Sequence, residues 1–231
     1  RLVSLSQSIK EKPQGKIVAV NGVKGGVGCT SVVSALAHSC MSFDKRAVVV
    51  DLSKQQQLLQ YVRSPKIYSA DLAAIISGDL KMPESITDTL VVTAPNEIEV
   101  LPQPAGGSEM REKWLRDASK FEATLSLLEL LAEKYDLVIV DLAQVEGILP
   151  YAIAARAHRV ILVSSNEPSS VSLLAQTYSE IVEINTEANP TIVINMLDGT
   201  LEKEDVLDFV LLHSQKEITE NAIWEIPLDD S

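Results

Sequence analysis

A glycine-rich turn between an apolar strand and an apolar helix constrains the fold of this chain more than any other feature. Residues Lys16 to Val20, KIVAV, are mostly apolar and β-branched, which is typical of a buried strand. Gly25, Gly26 and Gly28 follow it, and residues Thr30 to Met41 have the apolar spacing of a helix. A strand, a glycine-rich turn and a helix in this order predict a βα unit in which the helix begins directly after the turn.

The rest of the chain continues this alternation of strands and helices. The further predicted strands are Ala47–Leu52, Glu97–Pro102, Asp136–Leu142, Arg159–Ser165, Thr191–Asn195 and Ala222–Pro227. The further predicted helices are Ser69–Gly78, Phe121–Tyr135, Ile148–His158, Pro168–Asn185 and Glu202–His213. Most of these strands lack polar alternation, so they are expected to be buried on both faces. We therefore predict an α/β fold with a mostly parallel sheet and helices on both of its faces.

The glycine-rich turn also has the features of a loop that binds phosphate. Glycines allow backbone N–H groups to close around phosphate oxygens, and the amino end of the following helix adds partial positive charge. Lys24 supplies a cation to this loop, and Thr30 stands where a hydroxyl would bind Mg²⁺. The alternative is a tight turn that uses glycine for backbone freedom alone, and the presence of Lys24 in this context disfavours it.

Composition and charge restrict the class of protein and its partners. A chain of 231 residues suits one large α/β domain. The formal net charge of −12 disfavours direct DNA binding, which depends on basic side chains that neutralise phosphates. Two cysteines are too few for a secreted disulfide scaffold, and no apolar run reaches the ~18 residues of a membrane helix. We therefore expect a cytoplasmic protein.

The motif KGGVGCT, Lys24 to Thr30, resembles the deviant Walker A signature KGGxGK[ST] of the MinD/ParA family. In that family the first lysine reaches across a nucleotide-sandwich dimer, and Lys24 matches it. The second lysine holds the β- and γ-phosphates within its own subunit, and Cys29 stands in its place. The resemblance extends from about Lys16 to Asp229 and implies the fold of a P-loop NTPase.

The resemblance implies a set of residues around ATP and Mg²⁺. Asp51 and Asp141 end two apolar strands and match the family's carboxylates on the Mg²⁺ side, so the implied metal residues are Thr30, Asp51 and Asp141. Asn195 in TIVIN and Pro227 in EIPLDD match segments near the adenine base. The implied nucleotide-binding residues are Lys24, Gly25, Gly26, Val27, Gly28, Cys29, Thr30, Ser31, Asn195 and Pro227.

Two departures from the family pattern remove groups that hydrolysis uses. Cys29 offers no cation to the phosphates, and Ser53 replaces a second aspartate that orients the attacking water in hydrolytic members. The loss of one phosphate-stabilising charge in a dry site lowers the rate by roughly 10²–10³. We therefore expect weak or no hydrolysis and assign no catalytic residue. ATP binding is less affected, because backbone amides, Mg²⁺ and Lys24 of the partner subunit remain.

One branch of the family, the pilus-assembly proteins of CpaE/TadZ type, tolerates a small residue at the second lysine position. The resemblance then implies an ATP-binding homodimer that localises or scaffolds pilus or secretion machinery, recruited by partners to the cell pole or the inner membrane face. Residues 1–15 are polar, so we expect them to be a linker from an upstream domain, with residues 16–231 forming the nucleotide-binding domain. The alternatives are an active ParA/MinD-type ATPase in partitioning or cell-pole regulation, and an interaction module without nucleotide.

Three further expectations concern single side chains. Lys24 lies among the partial positive charges of the loop amides, so we expect it to lack an anion unless phosphate is bound. Cys29 is interpreted as a small residue accepted where lysine is dispensable; the alternative is a reactive thiol whose pKa the helix terminus lowers. Cys40 falls on the apolar face of its predicted helix, so we expect it in the core.

Overall fold

The structure is a computed structural model, and it describes residues 15–54, 58, 91–93, 98–101, 118–185, 189–197, 201–214, 218 and 222–227. The strands are β1 Lys16–Gly22, β2 Ala47–Asp51, β3 Val91–Thr93, β4 Ile98–Leu101, β5 Leu137–Asp141, β6 Arg159–Ser165, β7 Thr191–Leu197 and β8 Ile223–Pro227. The helices of this part of the chain are α1 Cys29–Ser42, α2 Ala118–Ala132, α3 Leu149–Arg156, α4 Pro168–Ile184 and α5 Lys203–Ser214.

The strands form one eight-stranded sheet in the order β3-β4-β2-β5-β1-β6-β7-β8. All neighbouring pairs are parallel except β3 and β4, which are antiparallel at one edge. The predicted α/β fold with a mostly parallel sheet is therefore confirmed. No helix among the described residues is both long and apolar enough to cross a membrane.

The sequence missed β3, because a strand of three residues is too short to show a periodic pattern. Strands β1 and β7 each continue two residues beyond their predicted ends. The predicted helix Ser69–Gly78 lies outside the described residues.

Helices cover both faces of the sheet, as predicted. Helix α1 packs on one face, over alternate residues of the central strands such as Val20 and Ile139. Helices α2 to α5 pack on the opposite face, over residues such as Ala19 and Leu162. Full burial of a Val, Leu or Ile side chain contributes about 1.5–3 kcal/mol, so these layers hold the strands firmly in register.

The chain enters the sheet at Gly15, on the edge where the parallel strands begin. The Gly15 N–H donates to the carbonyl of Ala132 at 2.7 Å, and a Cβ at this position would overlap the carbonyl oxygen of Tyr135. The residue before β1 must therefore be glycine.

The opposite edge collects the ends of the parallel strands. Parallel β2 and β5 place Asp51 beside Asp141, and β1 and β5 place Val20 beside Asp141. Ligands of open α/β sheets bind at this carboxyl edge. The fold therefore brings the glycine-rich turn and both predicted carboxylates to one place.

Candidate phosphate-binding site

The turn between β1 and α1 is shaped by two glycines with left-handed backbone. Gly26 has φ 84°, and Gly28 has φ 86° and ψ 21°. Gly28 is the N-cap residue of α1 and provides no side-chain cap. Since the first N–H groups of a helix lack intrahelical acceptors, the amides of Cys29, Thr30 and Ser31 are available to an anion at this end of α1.

Asn195, two residues before the end of β7, contacts the turn from one side. Its Nδ2 donates to the Val27 carbonyl at 3.0 Å, and the same atom lies so close to Gly28 that a Cβ there would overlap it. Glycine is therefore required at position 28, because the backbone there is left-handed and because the Asn195 amide leaves no room for a Cβ. The role of Asn195 near an adenine base stays a prediction; in the structure its amide nitrogen donates to the backbone of the turn.

Gln144, in the turn after β5, approaches the loop from the other side. Its own backbone is left-handed, with φ 58°, which is uncommon for a residue other than glycine. A Cβ on Gly25 would lie 2.5 Å from the Gln144 Nε2 atom. Gln144 was not among the predicted site residues, although its position three residues after the strand-end residue Asp141 was a signal for it.

Asp141 and Thr30 form a buried hydrogen-bonded pair beside the turn. The Thr30 Oγ1 donates to Asp141 Oδ2 at 2.9 Å, and the Ala143 N–H donates to Asp141 Oδ1 at 3.0 Å. Asp141 is fully buried, and this burial raises its pKa. The structure thus brings two of the three predicted metal residues into contact.

Asp51 is also fully buried and lies on the neighbouring strand. Its Oδ1 accepts hydrogen bonds from the Ser53 N–H at 3.0 Å and from the Ser53 Oγ at 2.6 Å. Its Oδ2 is buried and has no hydrogen-bond partner among the described residues. Burial, followed by the charge of Asp141, raises the pKa of Asp51 to about 7. An orphaned, buried carboxylate oxygen beside a second carboxylate is a place where a cation would offset the cost of both charges.

These oxygens suit Mg²⁺ better than a cation whose ligands must all come from the protein. Mg²⁺ is commonly held by one or two carboxylates together with substrate phosphates and several waters. Asp51, Asp141 and the Thr30 hydroxyl supply such a set, next to a loop that suits phosphate. Within the described ranges, no cluster of three or more His, Cys, Asp and Glu side chains is arranged to hold a metal.

Cys29 occupies the first position of α1 and is buried. Its Sγ lies 3.5 Å from the Val20 carbonyl and 3.5 Å from Asp141 Oδ1, so the thiol faces β1 and β5. Burial, followed by the nearby charge of Asp141, raises the pKa of the Cys29 thiol well above its ordinary value. The alternative of an activated thiol is therefore wrong, because desolvation and a carboxylate outweigh the helix terminus. Cys40 is partly exposed, so its predicted core position is also wrong.

Lys24 already has an anionic partner within its own chain. Its Nζ lies 2.7 Å from Glu167 Oε2 and donates to Ser169 Oγ at 3.1 Å. The expectation that Lys24 lacks a protein anion was therefore wrong, because Glu167 at the start of α4 reaches the loop. Both side chains remain substantially exposed, at 40% and 60%, so the pair is a surface ion pair of modest strength.

Two cavities flank the turn. One, of about 250 Å³, lies between the loop residues Lys24 to Val27 and the ends of β6 and β7. The other, of about 500 Å³, is lined by Lys24, Gly25, Gln144 and Tyr151 among others.

Ser31 is exposed on the first turn of α1, and Pro227 is exposed at the end of β8. The candidate residues therefore lie along one edge of the sheet, from β2 to β8.

Comparison with known proteins shows which family this chain matches. The family described as AAA domain matches residues 15–194. The chromosome partitioning protein ParA of Myxococcus xanthus is 27% identical over 196 residues, which cover 80% of this chain and 66% of ParA. The septum site-determining protein MinD of Synechocystis is 27% identical over 207 residues, which cover 84% of this chain and 72% of MinD.

Solved structures share the fold. The cobyrinic acid a,c-diamide synthase of Mycobacterium smegmatis, with a bound ATP analog and magnesium, superposes with a TM-score of 0.70 at 20% identity, over 94% of this chain and 88% of that chain. MinD of Pyrococcus horikoshii, in complex with Mg-ADP, gives a TM-score of 0.71 at 19% identity, over 93% of this chain and 82% of that chain.

Proposed function

Because this chain belongs to the MinD/ParA family of P-loop ATPases, we propose that it binds ATP and Mg²⁺ at the turn between β1 and α1. One observation carries this proposal: the unpartnered Asp51 Oδ2 is buried beside the Thr30–Asp141 pair, directly next to a glycine turn whose helix amides suit an anion. Two solved structures of the same fold contain Mg²⁺ with an adenine nucleotide or an analog.

In this proposal, each part of the edge has its own role. The backbone of Gly25 to Ser31 holds the phosphates, including the amides of Val27 and Cys29. Thr30, Asp51 and Asp141 hold Mg²⁺, which neutralises charge on the phosphates when it is bound. Asn195 and Pro227 lie on the side of the base. The nucleotide then extends along the sheet edge from β7 and β8 toward β5 and β2.

Hydrolysis by this site is weak or absent. The motif Lys24 to Thr30 is a deviant Walker A sequence with a thiol at its second lysine position, and Cys29 is a neutral side chain that faces β1 and β5. The Ser53 hydroxyl donates to Asp51 at 2.6 Å and is not a carboxylate that could activate water. In this proposal the binding of ATP, more than its hydrolysis, controls the state of the protein.

The state set by ATP is a nucleotide-sandwich homodimer. Lys24 would leave Glu167 and contact the phosphates bound by the other subunit, in an isologous two-fold arrangement. The replacement of the second lysine by Cys29 supports a place in the CpaE/TadZ branch, as a localisation or scaffold factor for pilus or secretion machinery. Partners of that machinery would recruit this cytoplasmic protein to the cell pole or the inner membrane face.

Calorimetric titration with ATP and with ADP, each with and without Mg²⁺, tests the binding. We expect Mg²⁺-dependent binding by the wild type and its loss in Asp141→Asn, which removes a metal ligand. Glu129→Gln, which alters an exposed ion pair with Arg156 on the opposite helix layer, is the control and should bind as the wild type does. No binding at ~1 mM Mg-ATP, a free energy weaker than about −4 kcal/mol, would contradict the proposal.

A further inference from the structure

Gln144 lies against the phosphate loop, and no role proposed above uses it. Its carboxamide nitrogen is the nearest side-chain atom to Gly25, at 2.5 Å from the position that a Cβ on Gly25 would take. The backbone of Gln144 is left-handed, with φ 58°. A glutamine in this conformation needs support from its surroundings, so its placement over the loop is specific.

The turn that presents Gln144 is fixed by hydrogen bonds on both sides. The Ala143 N–H donates to Asp141 Oδ1 at 3.0 Å, and the Ala143 carbonyl accepts from the Lys54 N–H at 2.9 Å. The Val145 N–H donates to the Leu142 carbonyl at 3.1 Å. The backbone that carries the carboxamide is therefore held at a defined place relative to the loop and to the Asp141 carboxylate.

The direction of the nucleotide along the sheet edge places its terminal phosphate near Gln144. The base side of the proposed site is on β7 and β8, while the Mg²⁺ ligands Asp51 and Asp141 are on β2 and β5. Mg²⁺ and the terminal phosphates of a nucleotide lie together, because the metal bridges phosphate oxygens. Gln144 follows β5, so it lies at the end of the loop that the terminal phosphate would reach.

We propose that the Gln144 carboxamide donates a hydrogen bond to the terminal phosphate of ATP bound in this loop, as a contact from the same subunit that Cys29 cannot make. This inference rests on the proposed function of ATP binding. A carboxamide N–H₂ group carries two donors and no charge. The Gln144 carboxamide can therefore donate to a phosphate oxygen while it remains neutral, so that no cation has to be buried next to Asp141. The contact distinguishes ATP, whose third phosphate reaches Gln144, from ADP.

A purely structural role for Gln144 predicts a different result. If the side chain only shapes the turn around Gly25, its removal would change the affinity for ATP and for ADP by the same factor. If it contacts the terminal phosphate, its removal would weaken ATP and leave ADP nearly unchanged. The ratio of the two affinities is therefore the measurement that separates the roles.

The experiment compares the binding of Mg-ATP and Mg-ADP by the wild type, Gln144→Gly and Gln144→Glu in calorimetric titrations. Glycine suits the φ of 58° at this position, so Gln144→Gly should melt at the wild-type temperature or above it. We expect Gln144→Gly to lose roughly tenfold in ATP affinity, the effect of one hydrogen bond to a charged group, with less than about a twofold change for ADP. Gln144→Glu should lose more, because it places a carboxylate beside the phosphate.

Gln176→Ala is the matched control, because this exposed glutamine on α4 donates to Glu180 and does not line the loop. It should bind both nucleotides as the wild type does. An unchanged ATP-to-ADP ratio in both Gln144 variants would overturn the role of Gln144 while the proposed function stands. If the unchanged ratio came with an equal loss of affinity for both nucleotides, Gln144 would only shape the turn around Gly25. A wild type that binds neither nucleotide would overturn the proposed function together with this inference.

Discussion

The Nζ atom of Lys24 lies 2.7 Å from the Oε2 atom of Glu167, so the chain neutralises the cation of its own phosphate loop. In the proposed homodimer this lysine must act on the nucleotide of the other subunit. The ion pair and the dimer contact therefore compete for the same ammonium group. Glu167 would weakly disfavour the dimer contact until a phosphate replaces the carboxylate.

Glu167→Gln should strengthen the ATP-dependent dimer. The exposed pair contributes about 0.2–1 kcal/mol, so its loss would raise the dimer association constant by a factor between about 1.4 and about 5 for each Lys24 released. Sedimentation velocity with ATP, ADP and no nucleotide measures the change. Glu129→Gln removes another exposed ion pair, away from the loop, and should leave the dimer constant unchanged.

Lys24→Ala gives the complementary result in the same sedimentation experiment. It should abolish the preference of the dimer for ATP over ADP, because it removes the cation that reaches across the interface. A Lys24→Ala variant that dimerises with ATP as well as the wild type would show that the cross-subunit role is wrong. A Glu167→Gln variant with a weaker dimer would show that the carboxylate supports the interface.

The double variant Cys29→Lys, Ser53→Asp should gain affinity for phosphate, and the two changes should not be additive. Ser53→Asp alone places a carboxylate beside Asp51, where the present hydroxyl donates at 2.6 Å, and should lower stability by about 1–3 kcal/mol. A lysine at position 29 would stand beside Asp141 and offset part of that repulsion. Thermal unfolding of both singles and the double measures this coupling.

Phosphate release by the same variants tests the hydrolytic side. The wild type should turn over far more slowly than ~1 s⁻¹, an ordinary rate for an enzyme, and the double variant should be faster than either single. Wild-type turnover near 1 s⁻¹ would instead mean that another residue supplies the chemistry.

Asp51 should make the metal-free protein less stable as the pH rises. Its pKa is about 7 in the folded chain and 3.8 as an ordinary carboxyl, so the folded state holds a proton that the unfolded state has released between these values. This contribution to stability is therefore complete below about pH 4 and is lost by roughly 1 kcal/mol per pH unit as the pH rises toward 7. Mg²⁺ should restore most of the loss at pH 8, because a cation stabilises the charged form.

Denaturant unfolding of the wild type and Asp51→Asn, at pH 5 and pH 8 with chelator, isolates this contribution. The wild type should lose stability relative to Asp51→Asn between these pH values, since the asparagine does not titrate. Parallel pH curves for the two proteins would falsify the assignment of the raised pKa to Asp51.

Two loop glycines should differ in their tolerance of alanine. Gly26 and Gly28 have φ values of 84° and 86°, so both substitutions carry about 1–2 kcal/mol of left-handed backbone strain. A Cβ on Gly26 meets no atom within 4 Å, whereas on Gly28 it would overlap the Asn195 amide. Gly28→Ala should therefore be the more destabilising change, and Asn195→Ala should recover part of its extra cost. Thermal melts of the two singles and the double would show equal costs if the overlap did not matter.

The sequence could predict the parts of the site that depend on the order of strands and helices. The loop and Thr30 follow from that order, whereas Asp51 and Asp141 were assigned by the resemblance to the MinD/ParA family. The structure brings these residues together at one edge of the sheet, with Thr30 bonded to Asp141 and Asp51 beside it.

The remaining features depend on contacts that a linear pattern does not show. Glu167 meets Lys24 across 143 positions of the chain, and Gln144 reaches Gly25 only because one residue takes a left-handed conformation. Burial and the charge of Asp141 raise the pKa of the Cys29 thiol, whereas the helix terminus would lower it. The first two effects are larger, and their size depends on contacts that the sequence does not show. Close contacts between distant segments set the details of the site, whereas the strand order sets its place.

The position of Gly15 just before β1 determines where the two points of chain entry would lie in the proposed homodimer. Strand β1 spans seven residues, so the chain enters the sheet about 20 Å from the loop, at the opposite edge. In a two-fold pair that meets through its loops, the two points of entry would then face outward, at the far ends of the particle. The two Gly15 residues of such a pair would then lie roughly 40 Å apart, on surfaces away from the shared nucleotides.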